Sequence, residues 1–270
     1  MKRKVALLII DAQRDFCNPD GALFVPGAVE DNERLSRWIL NNKENIDYIG
    51  CTLDSHQVND IAHPGYWKDK DGNHPSPFTS ISLADVESGK WNAVKPQYAR
   101  EYLKTLEEQG EYVHVIWPEH CRIGSEGHCL DEMIDNAITT WSRGGRSIHF
   151  VTKGTHPDTE HFGAFEAQVP IENMPMTQYN LQLQQTLEKY DVVYLAGQAR
   201  NFCVVNTLKQ MVNKAPNLAK KLIVLNDCMS DVPGFEDAGK DVWEKAKSLG
   251  VKISTSGKEM LVSSTQQSVV

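Results

Sequence analysis

The chain has 270 residues, 40% of them hydrophobic and 24% charged, which is enough for one substantial core and ordinary for a soluble globular protein. Its net charge of −8 argues against nucleic acid and anionic membranes as partners. The six cysteines, at 17, 51, 121, 129, 203 and 228, include no CxxC pair, so they read as free thiols of a reducing compartment rather than a disulfide framework. No stretch approaches the roughly 20 apolar residues that span a bilayer. The first apolar run ends in Asp11 and lacks a small-residue cleavage site, so it reads as a strand and not a signal peptide, and the cytoplasm is the expected location.

Val5 to Ile10 is an unbroken apolar run, the pattern of a central parallel strand. Asp11-Ala-Gln-Arg-Asp-Phe16 and Asn18-Pro-Asp-Gly21 follow it as a loop rich in turn residues. The spacing predicts a helix near 30–45 with Leu35, Ile39 and Leu40 on one side, then a second strand at 46–53 that ends in Asp54-Ser-His56. From 59 to about 96 aromatic residues alternate with Gly, Pro and Asp, an excursion long enough to need short elements of its own. A helix at 98–109 precedes a third strand, Tyr112 to Trp117, which Pro118 stops. A helix at 131–141, a strand at 147–151 leading to Lys153-Gly154, and a helix at 181–190 come next. Asp191 to Leu195 reads as a fifth strand, broken by Gly197, with a helix at 201–213 beyond it. Leu222 to Leu225 is a sixth strand, a helix spans about 237–249, and Val251 to Ser254 offers a short edge strand. Strands alternating with helices imply right-handed βαβ units, so the expected class is α/β, a three-layer α/β/α sandwich on a mostly parallel six-stranded sheet. Residues 1–262 are expected to form one domain with an insertion at about 64–96, and 263–270 a frayed tail.

Polar residues collect just after the carboxyl ends of the expected strands: Asp11, Asp54, His56, Lys153 and Cys203. In open α/β sheets that edge is where ligands bind. Alone, Cys203 is most simply a packed core thiol. At a strand-to-helix turn, however, the field of the helix N-terminus favours a thiolate. A neighbouring lysine would stabilise that thiolate, and a carboxylate would take the thiol proton and return it to a leaving amine. The turn after Gly197 offers backbone N–H groups to a developing oxyanion. Asp54 and His56, two apart on an extended segment, point the same way. With His63 or His120 they make a two-His, one-carboxylate set suited to Zn²⁺, Fe²⁺ or Mn²⁺.

These segments resemble the nicotinamidase branch of the isochorismatase-like cysteine hydrolases. Asp11-Ala-Gln13-Arg-Asp15-Phe16 is similar to its D-x-Q-x-D-F motif, and Asp54-Ser-His56 with His63 to its D-x-H…H metal segment. Trp117-Pro-Glu-His120-Cys121 resembles the branch's W-P-x-H-C, and Lys153-Gly154 with Phe162-Gly-Ala-Phe165 its lysine segment. Gly197-Gln-Ala-Arg-Asn-Phe-Cys203-Val is similar to the nucleophile turn G-x-A-T-D-x-C-V, and Asn226-Asp-Cys228 to the closing segment.

The resemblance implies an isochorismatase-like, Rossmann-like fold and hydrolysis of nicotinamide to nicotinate and ammonia, a step of pyridine nucleotide salvage. It implies a triad of Asp11 as general acid/base, Lys153 as thiolate partner and Cys203 as nucleophile. The amides of Ala199 and Cys203 would form the oxyanion hole, with a cis peptide before Ala199. Asp54, His56 and His120 would bind one divalent metal, zinc first and iron or manganese as alternatives, with His63 a candidate fourth ligand. Phe16 and Trp117 would sandwich the substrate ring. The partner expected is a small amide, with no nucleic acid or membrane, in a homo-oligomeric assembly. Arg200 and Asn201 stand where the family has Thr-Asp, which implies a differently charged pocket floor, and the 64–96 insertion is placed to lid or reshape the site. Two alternatives stay open: a hydrolase of another small amide or N-carbamoyl compound, and a non-catalytic binding protein on this fold.

Overall fold

The computed structural model describes residues 3–261, so the tail expected at 263–270 lies outside the described residues. Six strands form the central sheet: β1 (Val5–Ile10), β2 (Tyr48–Asp54), β3 (Ile148–Lys153), β4 (Val192–Gly197), β5 (Leu222–Leu225) and β6 (Lys252–Ser254). They lie in the order β6-β5-β4-β1-β2-β3, and every pairing is parallel. Every residue of β1, β4 and β5 is buried, as continuous apolar runs require when helices cover both faces of a sheet. At the edge, β3 leaves His149 and Phe150 exposed.

Helices α1 (Ala28–Asn42) and α3 (Glu132–Ser142) pack together, as do α5 (Val205–Lys214) and α6 (Lys240–Leu249); α2 (Pro96–Glu108) and α4 (Leu181–Leu187) complete the set of longer helices. In α1 the buried stripe is Leu35, Trp38 and Ile39, and the expected Leu40 faces outward at 41% exposure. Trp38 takes its place because its indole N–H reaches the Glu259 carbonyl while its ring packs on Tyr194.

One expected strand is not in the sheet. Of residues 112–117 only His114–Val115 is a paired strand, antiparallel to Ser80–Ile81 in the excursion. The Ile116 N–H donates to Thr79 and the Trp117 N–H to Ala62, so the backbone of this run is committed to the inserted segment. The sixth place in the sheet belongs to β6 instead. An apolar run reports burial, and it does not report which sheet buries it.

The excursion has a fold of its own. Trp67–Lys68 pairs antiparallel with Asn92–Ala93, and a short helix, Leu83–Glu87, starts at a reciprocal Ser82–Asp85 cap. Together with α2 it closes a second apolar cluster around Tyr66, Trp67, Ile81, Leu103 and Ile116.

The strand order places β1 and β4 side by side at the centre, where chain connections diverge to opposite halves of the sheet. That is the topological switch point at which such sheets bind ligands. Gly197 makes the approach possible. Its φ is +120°, and a Cβ there would sit 2.0 Å from the Ile10 carbonyl oxygen, which accepts the Gln198 N–H at 2.8 Å. Gly197→Ala is expected to lower unfolding free energy by about 2–4 kcal/mol or to block folding. Urea unfolding measures it, and a variant within about 0.5 kcal/mol of the parent would show that the two strand ends have room to spare.

Candidate active site

The ends of β1, β2 and β3 each deliver one charged side chain to the switch point. Asp11 follows β1 with φ +42°, a left-handed backbone that turns its carboxylate back over the strand ends. Thr52 of β2 holds it there: its hydroxyl accepts the Asp11 N–H at 3.0 Å and donates to Asp11 Oδ1. Gln13 then brackets the end of β2, accepting the Asp54 N–H at 2.7 Å and donating to the Asp54 carbonyl at 2.8 Å. Lys153 lies opposite Asp54 in the β2–β3 register.

Lys153 is 1% exposed. Its Nζ sits 2.8 Å from Asp11 Oδ2, 2.9 Å from Asp54 Oδ1 and 2.9 Å from the His161 carbonyl, with Cys203 Sγ at 3.7 Å. Burial works against its charge, but Asp11 and Asp54 overcome that and hold it protonated well above the usual lysine range. Asp54 is the converse case. Burial would raise it, yet His56 and Lys153 hold it well below the usual carboxylate range. Asp11 is raised, by burial foremost, with Lys153 opposing and Asp54 reinforcing.

Cys203 sits in a widened turn, Arg200–Val204, in which the Val205 N–H reaches back five residues to the Arg200 carbonyl; α5 begins only at Val205. The helix field expected to depress its thiol is opposed by the surroundings. Burial pushes the thiol well up, Lys153 opposes this, and the Asp11 and Asp54 charges add to the rise. These surroundings favour the neutral thiol over a free thiolate. The peptide bond Gln198–Ala199 is cis, as expected, and among the described residues nothing accepts the Ala199 N–H.

Beside this cluster, Asp54, His56 and His120 each place a ligand atom within 4.8 Å of the others. Asp54 Oδ2 lies 3.0 Å from His56 Nε2 and 3.4 Å from His120 Nε2. The far nitrogen of each ring is already engaged: His56 Nδ1 with Asp60 Oδ2 at 3.0 Å, His120 Nδ1 with the Pro118 carbonyl at 2.8 Å. Those contacts fix the rings and turn both Nε2 atoms toward the shared point, the support that metal-binding histidines usually carry. Two imidazole nitrogens and one carboxylate oxygen thus fit a divalent transition ion. His63 stands outside this convergence. Its Nδ1 faces the Gln57 carbonyl and its Nε2 accepts the His120 N–H at 3.4 Å, so it props His120; burial above all, then His120 and His56, hold its pKa down at about 2.

A narrow cleft opens beside both clusters. Phe16, Leu23, Trp117, Phe162, Phe202 and Val232 form its apolar walls, with Asp54, His120, Glu160, Ala199 and Cys203 at its polar end. Trp117 meets Phe202 edge-on at 4.9 Å, and Phe16 meets His120 at 5.4 Å. Sequence reasoning names Phe16 and Trp117 and misses Thr52, Asp60, Glu160, Phe162 and Phe202. A local signal exists for two of these: Asp60 stands four residues after His56, and Phe202 directly precedes the cysteine.

Two further expectations fail. Arg200 and Asn201 do not charge the pocket floor. Arg200 turns outward into a two-pronged ion pair with Asp231, while buried Asn201 donates to the Val232 and Phe235 carbonyls and accepts the Val232 N–H. Nor does the 64–96 insertion contribute to the cleft lining; it reaches the wall from behind, with Phe78 edge-on to Trp117 at 6.0 Å.

No protein-family model matches the chain. The nicotinamidase of Saccharomyces cerevisiae (strain ATCC 204508 / S288c) is 25% identical to it over 250 residues, spanning 92% of this chain and 97% of that protein. Yeast nicotinamidase bound to the inhibitor nicotinaldehyde superposes with a TM-score of 0.64 at 22% identity, over 93% of this chain and 99% of that one. The chain has the nicotinamidase fold. Pyrazinamidase of Pyrococcus horikoshii in complex with zinc shares it, with a TM-score of 0.53 at 21% identity over 93% and 99% of the two chains. This is the expected isochorismatase-like α/β architecture.

Lys153→Met would remove the cation that counterbalances Asp11, leaving its carboxyl raised further by burial. A group raised in the folded state gives its stability below its unfolded pKa and loses it as pH climbs through the folded value. The variant should therefore lie nearest the parent around pH 4 and fall behind toward neutrality, by about 3–5 kcal/mol. Denaturant unfolding across that range reads it, and a gap that does not change with pH would contradict the assigned electrostatics.

Proposed function

We propose that this chain is a nicotinamidase, hydrolysing nicotinamide to nicotinate and ammonia through a thioester on Cys203. The observation that carries the proposal is an aromatic-walled cleft lined by Cys203, Asp54 and His120, with the Lys153–Asp11 pair in contact with Cys203 and Asp54, and His56 in contact with Asp54. The yeast relative, a nicotinamidase along nearly its whole length, supports it. The metal cluster favours it over an N-carbamoyl hydrolase, a class that resembles this one in its triad and lacks that set.

Asp11 acts first. Its Oδ2 touches Lys153 Nζ at 2.8 Å without a well-aligned hydrogen bond, which leaves lone-pair capacity for the Cys203 proton. Lys153, 3.7 Å from Sγ, offsets the charge left on sulfur. The thiolate adds to the carboxamide carbon, and the resulting oxyanion is taken by the Ala199 and Cys203 amides. Asp11 hands its proton to the nitrogen as the C–N bond breaks, and ammonia departs. Water, deprotonated by the same carboxylate, then adds to the thioester; the C–S bond breaks, and nicotinate and the thiol are released.

Phe16 and Trp117 flank the ring in this pose. Asp54, His56 and His120 would hold a divalent ion, zinc first on the chemistry of the donors. When bound, such an ion supplies a Lewis-acid partner for the ring nitrogen and so orients the amide toward Cys203. Six free thiols suit a reducing compartment, and the cytoplasm and pyridine nucleotide salvage are the setting this activity implies. Among the described residues no helix is long and apolar enough to cross a membrane.

Cys203→Ala should abolish ammonia release from nicotinamide and from pyrazinamide while leaving thermal unfolding intact. Retained turnover would sink the proposal. Chelation should weaken nicotinamide binding, followed by calorimetry, at temperatures where circular dichroism shows the fold unchanged. Binding that survives metal removal at full strength would remove the ion from the substrate site.

A further inference from the structure

One buried carboxylate near the site takes no part in the chemistry above. Asp31, on the first turn of α1, is 2% exposed and accepts three donors. Arg34 Nη2 donates to its Oδ1 at 2.7 Å, while Gln198 Nε2 at 3.0 Å and the Ser230 hydroxyl at 2.6 Å both donate to its Oδ2. The ring of contacts closes on itself, because the Ser230 N–H donates to Gln198 Oε1 at 3.1 Å. Gly27 makes room for it: with φ +97°, a Cβ there would fall 2.5 Å from Ser230 Oγ. Arg34 is itself anchored by its Nε to the Asp227 carbonyl.

Gln198 is the residue directly before Ala199, the amide offered to the cleft. Its own N–H is tied to Ile10, and the Arg200 N–H on the other side is tied to the Ser230 carbonyl. The short segment that carries the Ala199 N–H is thus held at both ends of its backbone and at the Gln198 side chain. Both side-chain contacts of Gln198 run to the Asp31–Ser230 pair. We propose that Asp31 is a positioning residue for the oxyanion site, acting through Gln198 to aim the Ala199 N–H at the carbonyl oxygen of the substrate. This rests on the function proposed above. Asp31 touches neither the cleft nor the nucleophile, so its loss should weaken stabilisation of the charged intermediate and leave binding of the ground-state ring alone.

The test separates those two effects with three ligands. In Asp31→Asn, with the amide oxygen kept on Arg34, both Gln198 Nε2 and the Ser230 hydroxyl face an amide N–H₂ instead of an oxygen, and the clamp loosens. The expected result is a fall in kcat of about tenfold, with KM for nicotinamide within about twofold of the parent. Nicotinaldehyde, whose adduct with a thiol carries an oxyanion, should lose affinity in step with kcat, while nicotinate binds as before. Gln198→Met removes the same link from the other side and should give the same pattern if Asp31→Asn fails to fold.

Asp31→Asn combined with Gln198→Glu reverses the direction of the bond. The introduced amide N–H₂ at position 31 then donates to the introduced carboxylate at position 198, whose second oxygen still accepts the Ser230 N–H. The amide oxygen at position 31 still accepts Arg34. The double variant should recover most of the lost kcat, whereas Gln198→Glu alone sets two carboxylates against each other and should be worse than either. A double variant no better than Asp31→Asn, or equal weakening of nicotinaldehyde and nicotinate, would overturn the positioning role. Wild-type protein that neither releases ammonia from nicotinamide nor binds nicotinaldehyde would overturn the function itself, and this inference with it.

Discussion

A lysine ammonium buried between two carboxylates ties together the carboxyl ends of three neighbouring strands, and the rest of the site is built around that contact. Lys153 cannot be held dry without Asp11 and Asp54, and those two carboxylates cannot both stay charged so close together without it. At an effective dielectric of about 20, each pair at this distance returns roughly 6 kcal/mol. Taking three ions out of water costs several kcal/mol apiece, so the cluster comes close to break-even. It is better explained by what it does for Cys203. In the proposed reaction its counter-ion, Lys153, and its proton acceptor, Asp11, are set in place by strand register before any substrate arrives.

The same sharing of position extends outward. Asp54 belongs to both clusters, one oxygen toward Lys153 and the other toward His56 and His120, so the lysine cluster and the metal-type site share a single side chain. The segment 226–235 braces the nucleophile turn from the other side through Cys228, Ser230, Asp231 and Val232. Arg200 and Asn201, the departures from the family pattern, are absorbed into that brace and do not alter the cleft. The inserted segment does comparable work for Trp117, meeting its ring with Phe78 and pairing with His114–Val115 just before it.

What can be read from residues alone follows from this arrangement. Central strands of a parallel sheet must be unbroken apolar runs, so β1, β4 and β5 stand out, and Asp11 is legible because it ends one of them; Lys153 ends an edge strand and Cys203 follows β4 across a turn, so both are legible only as polar groups near strand ends. Cross-strand partners are not, because Thr52 meets Asp11 only through the β1–β2 register, which no local pattern encodes. The state of the Cys203 thiol is hidden for a related reason. A helix terminus is visible in a sequence, but full burial beside two carboxylates is not, and burial is the largest of the causes that raise the thiol. Residues 112–117 show the same limit in the fold, since their hydrophobicity is real and their partner lies in the insertion.

The central claim is that Cys203 carries the acyl group during turnover. Rapid acid quench of the protein mixed with excess nicotinamide, followed by peptide mass spectrometry, tests it most directly. The account predicts that one nicotinoyl group is found on the peptide containing Cys203 and that the label disappears as substrate is exhausted. Steady ammonia release with no acyl label, or a label that settles on Lys153 instead, would contradict it.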